Sequence, residues 1–170
     1  MKEFGKGDKG ETSIIGKKIK KSECLTEVLG NLDELNSVLG ICRSIIKEKD
    51  FQEILKNVQT KVFEIGSIIA GNEKYKISEN DVIELENLIK RIDESLPKLS
   101  HFVYPIGFEA SFLHLARAVC RRAERSLFEL AEKQEVDENV LKYMNRLSDL
   151  LFVMSRWIKK VKNEEEEVWK

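Results

Sequence analysis

Arg117, Arg121, Glu124 and Arg125 are spaced so that offsets of four, seven and eight residues bring them to one face of a helix. A surface of guanidinium forks around a carboxylate is suited to holding phosphate or carboxylate groups. Further along, Asn145, Asp149, Phe152 and Arg156 recur at steps of four, three and four. At roughly 100° per residue this stripe lies more than a quarter turn from the apolar stripe of Met144, Leu151 and Ile158, which leaves Phe152 misplaced for a plain solvent face. Spacing alone leaves two readings about level: an anion site, or an ordinary solvated face laced with salt bridges. The crowding of Arg121, Arg122 and Arg125 within a turn and a half favours the first, because like charges this close repel unless an anion compensates them.

Other candidates are weaker. Gly30, Asp33, Ser37 and Gly40 form a strip of small residues around one carboxylate, and each helix-interior glycine costs about 1 kcal/mol relative to alanine. Close approach of a ligand, of a neighbouring subunit or of another helix of the bundle would account for it. Gly5-Lys6-Gly7-Asp8-Lys9-Gly10 satisfies the letters of a dinucleotide fingerprint, but there is no room for a strand before Gly5 and no helical pattern after Gly10. The P-loop spacing also fails. What remains is a Gly/Lys/Thr/Ser arm whose N–H groups, with Thr12, Ser13, Lys17, Lys18 and Lys21, could wrap a polyphosphate. No Glu-x-x-His pair supports a di-iron bundle, and His101 and His114 have no partner at ligand spacing, so both read as surface or packing residues. No nucleophilic triad or dyad is present, so an enzyme built on this chain takes its nucleophile from a substrate.

Composition narrows the class. The 29 basic and 30 acidic residues nearly cancel, which argues against general attraction to nucleic acid or anionic lipid. Cys24, Cys42 and Cys120 are odd in number and lack zinc-ligand spacing, so they read as reduced thiols. With no apolar leader pattern and no run long enough to span a bilayer, the expected setting is the cytoplasm.

The periodicity that must position these residues is helical. Leu25, Val28, Leu29, Leu32, Leu35, Leu39, Cys42 and Ile46 form the inner face of a first helix from Ser22 to about Lys49. Val58, Val62, Ile65 and Ile69 mark a second, ending near Ala70 before Gly71-Asn72. Ser78 and Asp81 resemble a capping box before Val82, Leu85, Ile89, Ile92 and Leu96, and Pro97 ends this third helix. A fourth follows the Pro105-Ile106-Gly107 loop and runs to about Gln134, with Phe112, Ala116, Cys120, Ala123, Leu127 and Leu130 inside. Asp137 caps a fifth, with Val140, Met144, Leu147, Leu151, Met154, Ile158 and Val161 inside. The expectation is an all-α, five-helix up-and-down bundle with a four-helix core. One domain is expected over residues 1–170: an arm to 21, the bundle over 22–163, and a solvated acidic tail over 164–170.

Three blocks carry a family resemblance: GKGDKGETS in the arm, GNLDELNSVLG in the first helix, and FVYPIG…LHLARAVCRRAER followed by NRLSDLLF. Together, over residues 4 to about 157, the chain resembles the PduO-type ATP:cob(I)alamin adenosyltransferases. The resemblance implies a homotrimer of five-helix bundles with sites between subunits, ATP and cob(I)alamin as substrates, and Mg²⁺ sharing the triphosphate charge. It implies that cobalt attacks the 5′ carbon of ATP and expels triphosphate, leaving positioning and charge neutralisation to the protein. A reductase and an adenosylcobalamin-dependent mutase are the implied partner classes.

By motif position, the resemblance assigns Phe4, Gly5, Lys6, Gly7, Asp8, Lys9, Gly10, Glu11, Thr12, Ser13 and Lys21 to the ATP-wrapping arm. It assigns Arg121, Arg122, Glu124, Arg125 and Asn145 to the helix-borne part of the nucleotide site, with Arg121 and Arg125 on the phosphates. Asp33 would pair with Arg117 across the subunit interface. Phe102 would fill the space below the corrin and keep the lower axial ligand off cobalt, and Phe152 extends that apolar wall on our reading. Phe4 and Gly5 stand where the family arm opens with Thr, Ile106 replaces the first Gly of Pro-Gly-Gly, and the C-terminus is short. An ATP-sensing regulatory bundle without transferase activity is the alternative, and a purely structural trimerisation bundle a third reading.

Overall fold

The computed structural model describes residues 8, 10–14, 17–20 and 23–169. Five helices dominate: α1 (Cys24–Ile45), α2 (Lys49–Ile69), α3 (Glu79–Glu94), α4 (Phe108–Ala131) and α5 (Glu138–Val161). α1 packs between α2 and α4, and α4 packs along α5. The ring closes where Phe51 of α2 stacks on Trp157 of α5 with centroids 4.3 Å apart. These four helices enclose the core, and α3 lies outside against α5, tied to α2 by Lys61 and Asp81 at 2.8 Å.

The predicted stripes supply that core. Val28, Leu32, Leu35, Leu39, Cys42 and Ile46 of the first stripe are buried, with Leu25 and Leu29 half-buried at its edge. On α5, Val140, Met144, Leu147, Leu151, Met154 and Ile158 are buried, but Val161, the last residue of the helix, is 45% exposed. Burial of a leucine such as Leu147 contributes about 1.5–3 kcal/mol. Burial also pushes the Cys42 thiol up to about 12 and raises Cys120 further, so both are inert core thiols.

The helix ends follow local chemistry. Ser78 Oγ accepts from the Asp81 N–H at 3.2 Å, and Asp81 Oδ2 accepts from the Ser78 N–H at 2.7 Å, which completes the capping box. Asp137 caps α5 by accepting from the Asn139 N–H at 2.8 Å. Gly71, at φ +92°, stops α2.

Two short pairings were not anticipated. β1 (Glu11–Ile14) and β2 (Lys17–Lys20) form an antiparallel hairpin in the arm, docked on α1 where Thr26 Oγ1 donates to the Lys20 carbonyl at 3.1 Å. β3 (Phe102–Val103), in the loop between α3 and α4, pairs with β4 (Val168–Trp169) after α5. The tail is therefore anchored, contrary to the expectation of a solvated end. Glu164, Glu165 and Glu167 remain exposed, but Glu166 pairs with Arg156 and the Glu167 carbonyl accepts from Tyr104 N–H at 2.8 Å. Gly107, at φ +97°, opens α4 where an added Cβ would lie 3.0 Å from Glu164 Oε2, so both backbone conformation and space favour glycine.

Candidate functional site

α4 and α5 lock together through a buried polar pair. Glu124 is only 9% exposed, and its Oε1 accepts from Asn145 Nδ2 at 2.7 Å. Asn145 Oδ1 accepts in turn from Arg146 Nη1 at 2.6 Å, and Arg146 Nε donates to Glu86 of α3 at 2.7 Å. A buried carboxylate without a partner would cost several kcal/mol, so this chain of hydrogen bonds fixes the relative rotation of α4 and α5 about that point.

Beside this lock the arginines divide. Arg121 and Arg125, one turn apart, are exposed and have no ion-pair partner among the described residues. Arg122, 100° around the helix, turns toward α1 and pairs with Glu34. Among the described residues, the crowded cluster read from spacing is thus two unpaired cations and one engaged one.

One turn before Arg121, the Arg117 guanidinium lies over the Phe152 ring, 5.4 Å from its centroid. His114 meets the same ring edge-on at 6.1 Å, and its Nε2 is 3.2 Å from Ser155 Oγ. Burial first, and the positive charge of Arg117 second, hold the His114 pKa below its ordinary value. Phe102 is 75% exposed and tilts against Trp169 at 6.2 Å. Clefts of about 280 and about 530 Å³ flank the Phe102 ring and share Leu99, Phe102, Arg117 and Phe152 as walls. The second also meets Asp149 and Trp169. An apolar cleft with a few polar groups at its rim suits a flat, largely apolar ligand beside the cationic face.

Asp33 is exposed on α1 and lines a separate cleft of about 350 Å³ against Phe63, Gly66 and Ser67 of α2. In the same cleft Asn36 is 5% exposed, with both amide atoms unpaired among the described residues. Asp33 does not reach Arg117 within the chain.

The cobalamin adenosyltransferase profile matches residues 3–158. The chain belongs to this family. The corrinoid adenosyltransferase of Bacillus subtilis (strain 168) is 36% identical over 158 residues, which cover 88% of this chain and 82% of that protein. The corrinoid adenosyltransferase of Mus musculus is 36% identical over 177 residues, covering 96% and 75%. A variant of the PduO-type ATP:corrinoid adenosyltransferase from Lactobacillus reuteri, solved with cobalamin and ATP, matches with a TM-score of 0.90 at 29% identity, over 99% of this chain and 98% of that one.

In this cobalamin adenosyltransferase family member the structure gathers Arg117, Arg121, Glu124, Arg125, Asn145 and Phe152 along the α4–α5 seam, with Phe102 beside them. Asp8, Gly10, Glu11 and Ser13 lie on or just before the hairpin, and Asp8, Glu11 and Ser13 are exposed. Phe4, Gly5, Lys6, Gly7, Lys9 and Lys21 lie outside the described residues, as does the side chain of Thr12.

Arg156 is a correction. It was expected on the polar stripe with Asn145 and Asp149, yet it is 4% exposed and belongs to the tail anchor, because the returning chain covers that end of α5. The glycine strip divides likewise: a Cβ added at Gly40 would lie 3.5 Å from Gln59 Nε2, which is packing within the bundle, while one added at Gly30 would meet nothing within 4 Å among the described residues. Sequence reasoning missed Trp169 and Arg146. Trp169 carried no periodic signal, and the role of Arg146 depends on Glu86, 60 residues away in sequence, which only the packing of α3 on α5 brings to it.

Among the described residues there is no cluster of three or more acidic, His or Cys groups able to hold a metal, and no helix is long and apolar enough to cross a membrane.

Proposed function

We propose that the chain transfers the 5′-deoxyadenosyl group of ATP to the cobalt of cob(I)alamin, giving adenosylcobalamin and triphosphate, with the triphosphate on the α4 cations and the corrin beside Phe102. It is an enzyme of the ATP:corrinoid adenosyltransferase type. The observation that carries the assignment of roles is that Arg117, which walls the apolar cleft with Phe102 and Phe152, is followed one and two turns along the same helix by Arg121 and Arg125, exposed and without an ion-pair partner among the described residues.

The reaction asks little covalent work of the protein. The cobalt–carbon bond forms as the bond from C5′ to the triphosphate oxygen breaks, and the electron pair leaves on that oxygen. Arg121 and Arg125 neutralise the developing charge, and Arg122 joins them if ATP draws it from Glu34. Glu124, held by Asn145, orients the arginines or a ribose hydroxyl. Phe4 to Ser13 and Lys21 close over the nucleotide from the arm, and Mg²⁺ shares the triphosphate charge. Phe102 and Phe152 keep the corrin face apolar and the lower axial ligand away from cobalt.

A homotrimer completes the site in this reading, with Asp33 paired to Arg117 of the partner subunit. Support comes from Asp33, which is exposed and finds no cation among the described residues, and from Gly30, where an added Cβ would meet nothing within 4 Å among them, which leaves room for a neighbour. A cytoplasmic setting is supported by three free thiols. A reductase supplying cob(I)alamin and an adenosylcobalamin-dependent mutase are the partner classes.

Mixed anaerobically with ATP, Mg²⁺ and chemically reduced cobalamin, the protein should yield the absorption spectrum of adenosylcobalamin and free triphosphate. ATP binding without a cobalt–carbon bond would sink the proposal and leave a nucleotide sensor.

A further inference from the structure

We infer that Arg156 is a positioning residue for the corrin half of the site: it grips the α3–α4 loop and the C-terminal tail together and so holds the Phe102 strand against the Trp169 strand. The inference rests on the assignment of Phe102 to the corrin cleft.

A guanidinium that is 4% exposed must be paired, and the partners of Arg156 are unusual in their distribution. Nε donates to Glu166 Oε1 at 2.7 Å and Nη2 to Glu166 Oε2 at 3.1 Å, a bidentate grip on the tail. The same Nη2 donates to the Pro97 carbonyl at 2.7 Å, in the loop after α3. Asp93, on the last turn of α3, stands 3.9 Å from Nη1. One side chain on α5 therefore joins the end of α3 and the loop that follows it to the C-terminal tail.

Both gripped segments lead directly to the cleft. Pro97 precedes β3 and Phe102, and Glu166 precedes β4 and Trp169. Between them, among the described residues, stand a pairing of two residues per strand, the Tyr104 to Glu167 hydrogen bond and the tilted contact of the Phe102 and Trp169 rings. A ladder this short does not hold itself together in water, so its register depends on what fixes its ends. Stability alone would be served as well by apolar side chains at both 156 and 166, since a buried ion pair adds little net energy over a well-packed apolar replacement of the whole pair. The planar fork adds direction: it fixes where a carbonyl and a carboxylate must lie.

The test compares Arg156→Met, Arg156→Lys, Glu166→Gln and Phe102→Ala in the full-length protein. We expect Arg156→Met to raise the KM for cob(I)alamin about tenfold and to leave the Kd for ATP within about twofold. Amide exchange at Tyr104 should accelerate while the α4 core amides keep their protection. Lysine, a point charge that cannot span both acceptors, should not restore the KM. Glu166→Gln, which leaves α5 intact, should shift the same two readouts by about threefold, and it decides the matter if Arg156→Met fails to fold.

An unchanged cob(I)alamin KM in Glu166→Gln, or equal losses for ATP and corrinoid in a folded Arg156 variant, would overturn the inference. If Phe102→Ala leaves the cob(I)alamin KM untouched, the corrin assignment itself fails. If Phe102→Ala raises it and the Arg156 and Glu166 variants do not, the corrin assignment survives and only the positioning role is lost.

Discussion

The two halves of the candidate site, the one we propose for the nucleotide and the one we propose for the corrin, are built by opposite means. Arg121, Glu124 and Arg125 ride on one helix, and Asn145 meets Glu124 from the helix packed alongside, so 24-residue helices in a filled core hold the geometry. Phe102 and Trp169 sit on two strands of two residues each, outside the core, and reach one another through contacts between chain segments far apart in sequence. The first half is rigid because the core is close-packed. The second lies outside that core and depends on a few contacts between exposed segments.

That contrast predicts how variants separate. The largest effect is expected for Arg121→Ala, with kcat/KM for ATP down about 10²- to 10³-fold and little change in corrinoid KM, read by steady-state kinetics in each substrate. A loss shared equally by both substrates would mean that the halves are not distinct. Next, Phe102→Ala should lower turnover with cobalamin about tenfold or more at saturating ATP, while ATP affinity by calorimetry stays near wild type.

Glu124→Ala tests the lock itself. It strands the Asn145 amide, so about 1–3 kcal/mol of stability should go, on the order of 5 °C in Tm, together with ATP affinity. A stability change without an affinity change would reduce Glu124 to a packing residue. The Arg122–Glu34 pair is exposed, so Arg122→Ala should cost at most about 1 kcal/mol by denaturant titration. Its loss of ATP affinity should be the mildest of the three arginines.

The smallest expected effect is a pH dependence. Because the His114 pKa is lowered by burial and by Arg117, the unfolded chain takes up a proton near the ordinary histidine value while the folded chain resists it. Stability is therefore lost as pH falls below about 6.5, and the loss is complete below the depressed folded value. His114→Gln should flatten the fall in Tm between about pH 7.5 and about pH 5.5; identical slopes would show that the imidazole is not desolvated.

The same division separates what was legible in advance from what was not. Helix stripes such as Val28–Leu32–Leu35–Leu39, the Ser78–Asp81 box and the Asp137 cap were readable because each depends on residues a turn or less apart. Arg121 and Arg125 were readable for the same reason. Arg122 was grouped with them because spacing counts charges but does not see Glu34 on the neighbouring helix. Arg156 fitted a polar stripe until the returning tail covered it, and the Glu164–Glu167 run looked solvated because nothing in its own letters points to a buried arginine.

The order of apolar and charged residues along this chain thus dictated five amphipathic helices, their caps and the cationic face of α4, since helical periodicity and capping are local interactions. Which cations stay free, which carboxylate is buried, and how Phe102 comes to face Trp169 were set by folding, because those outcomes depend on pairings between segments tens of residues apart. Burial is a property of the assembled bundle, and no single segment carries it.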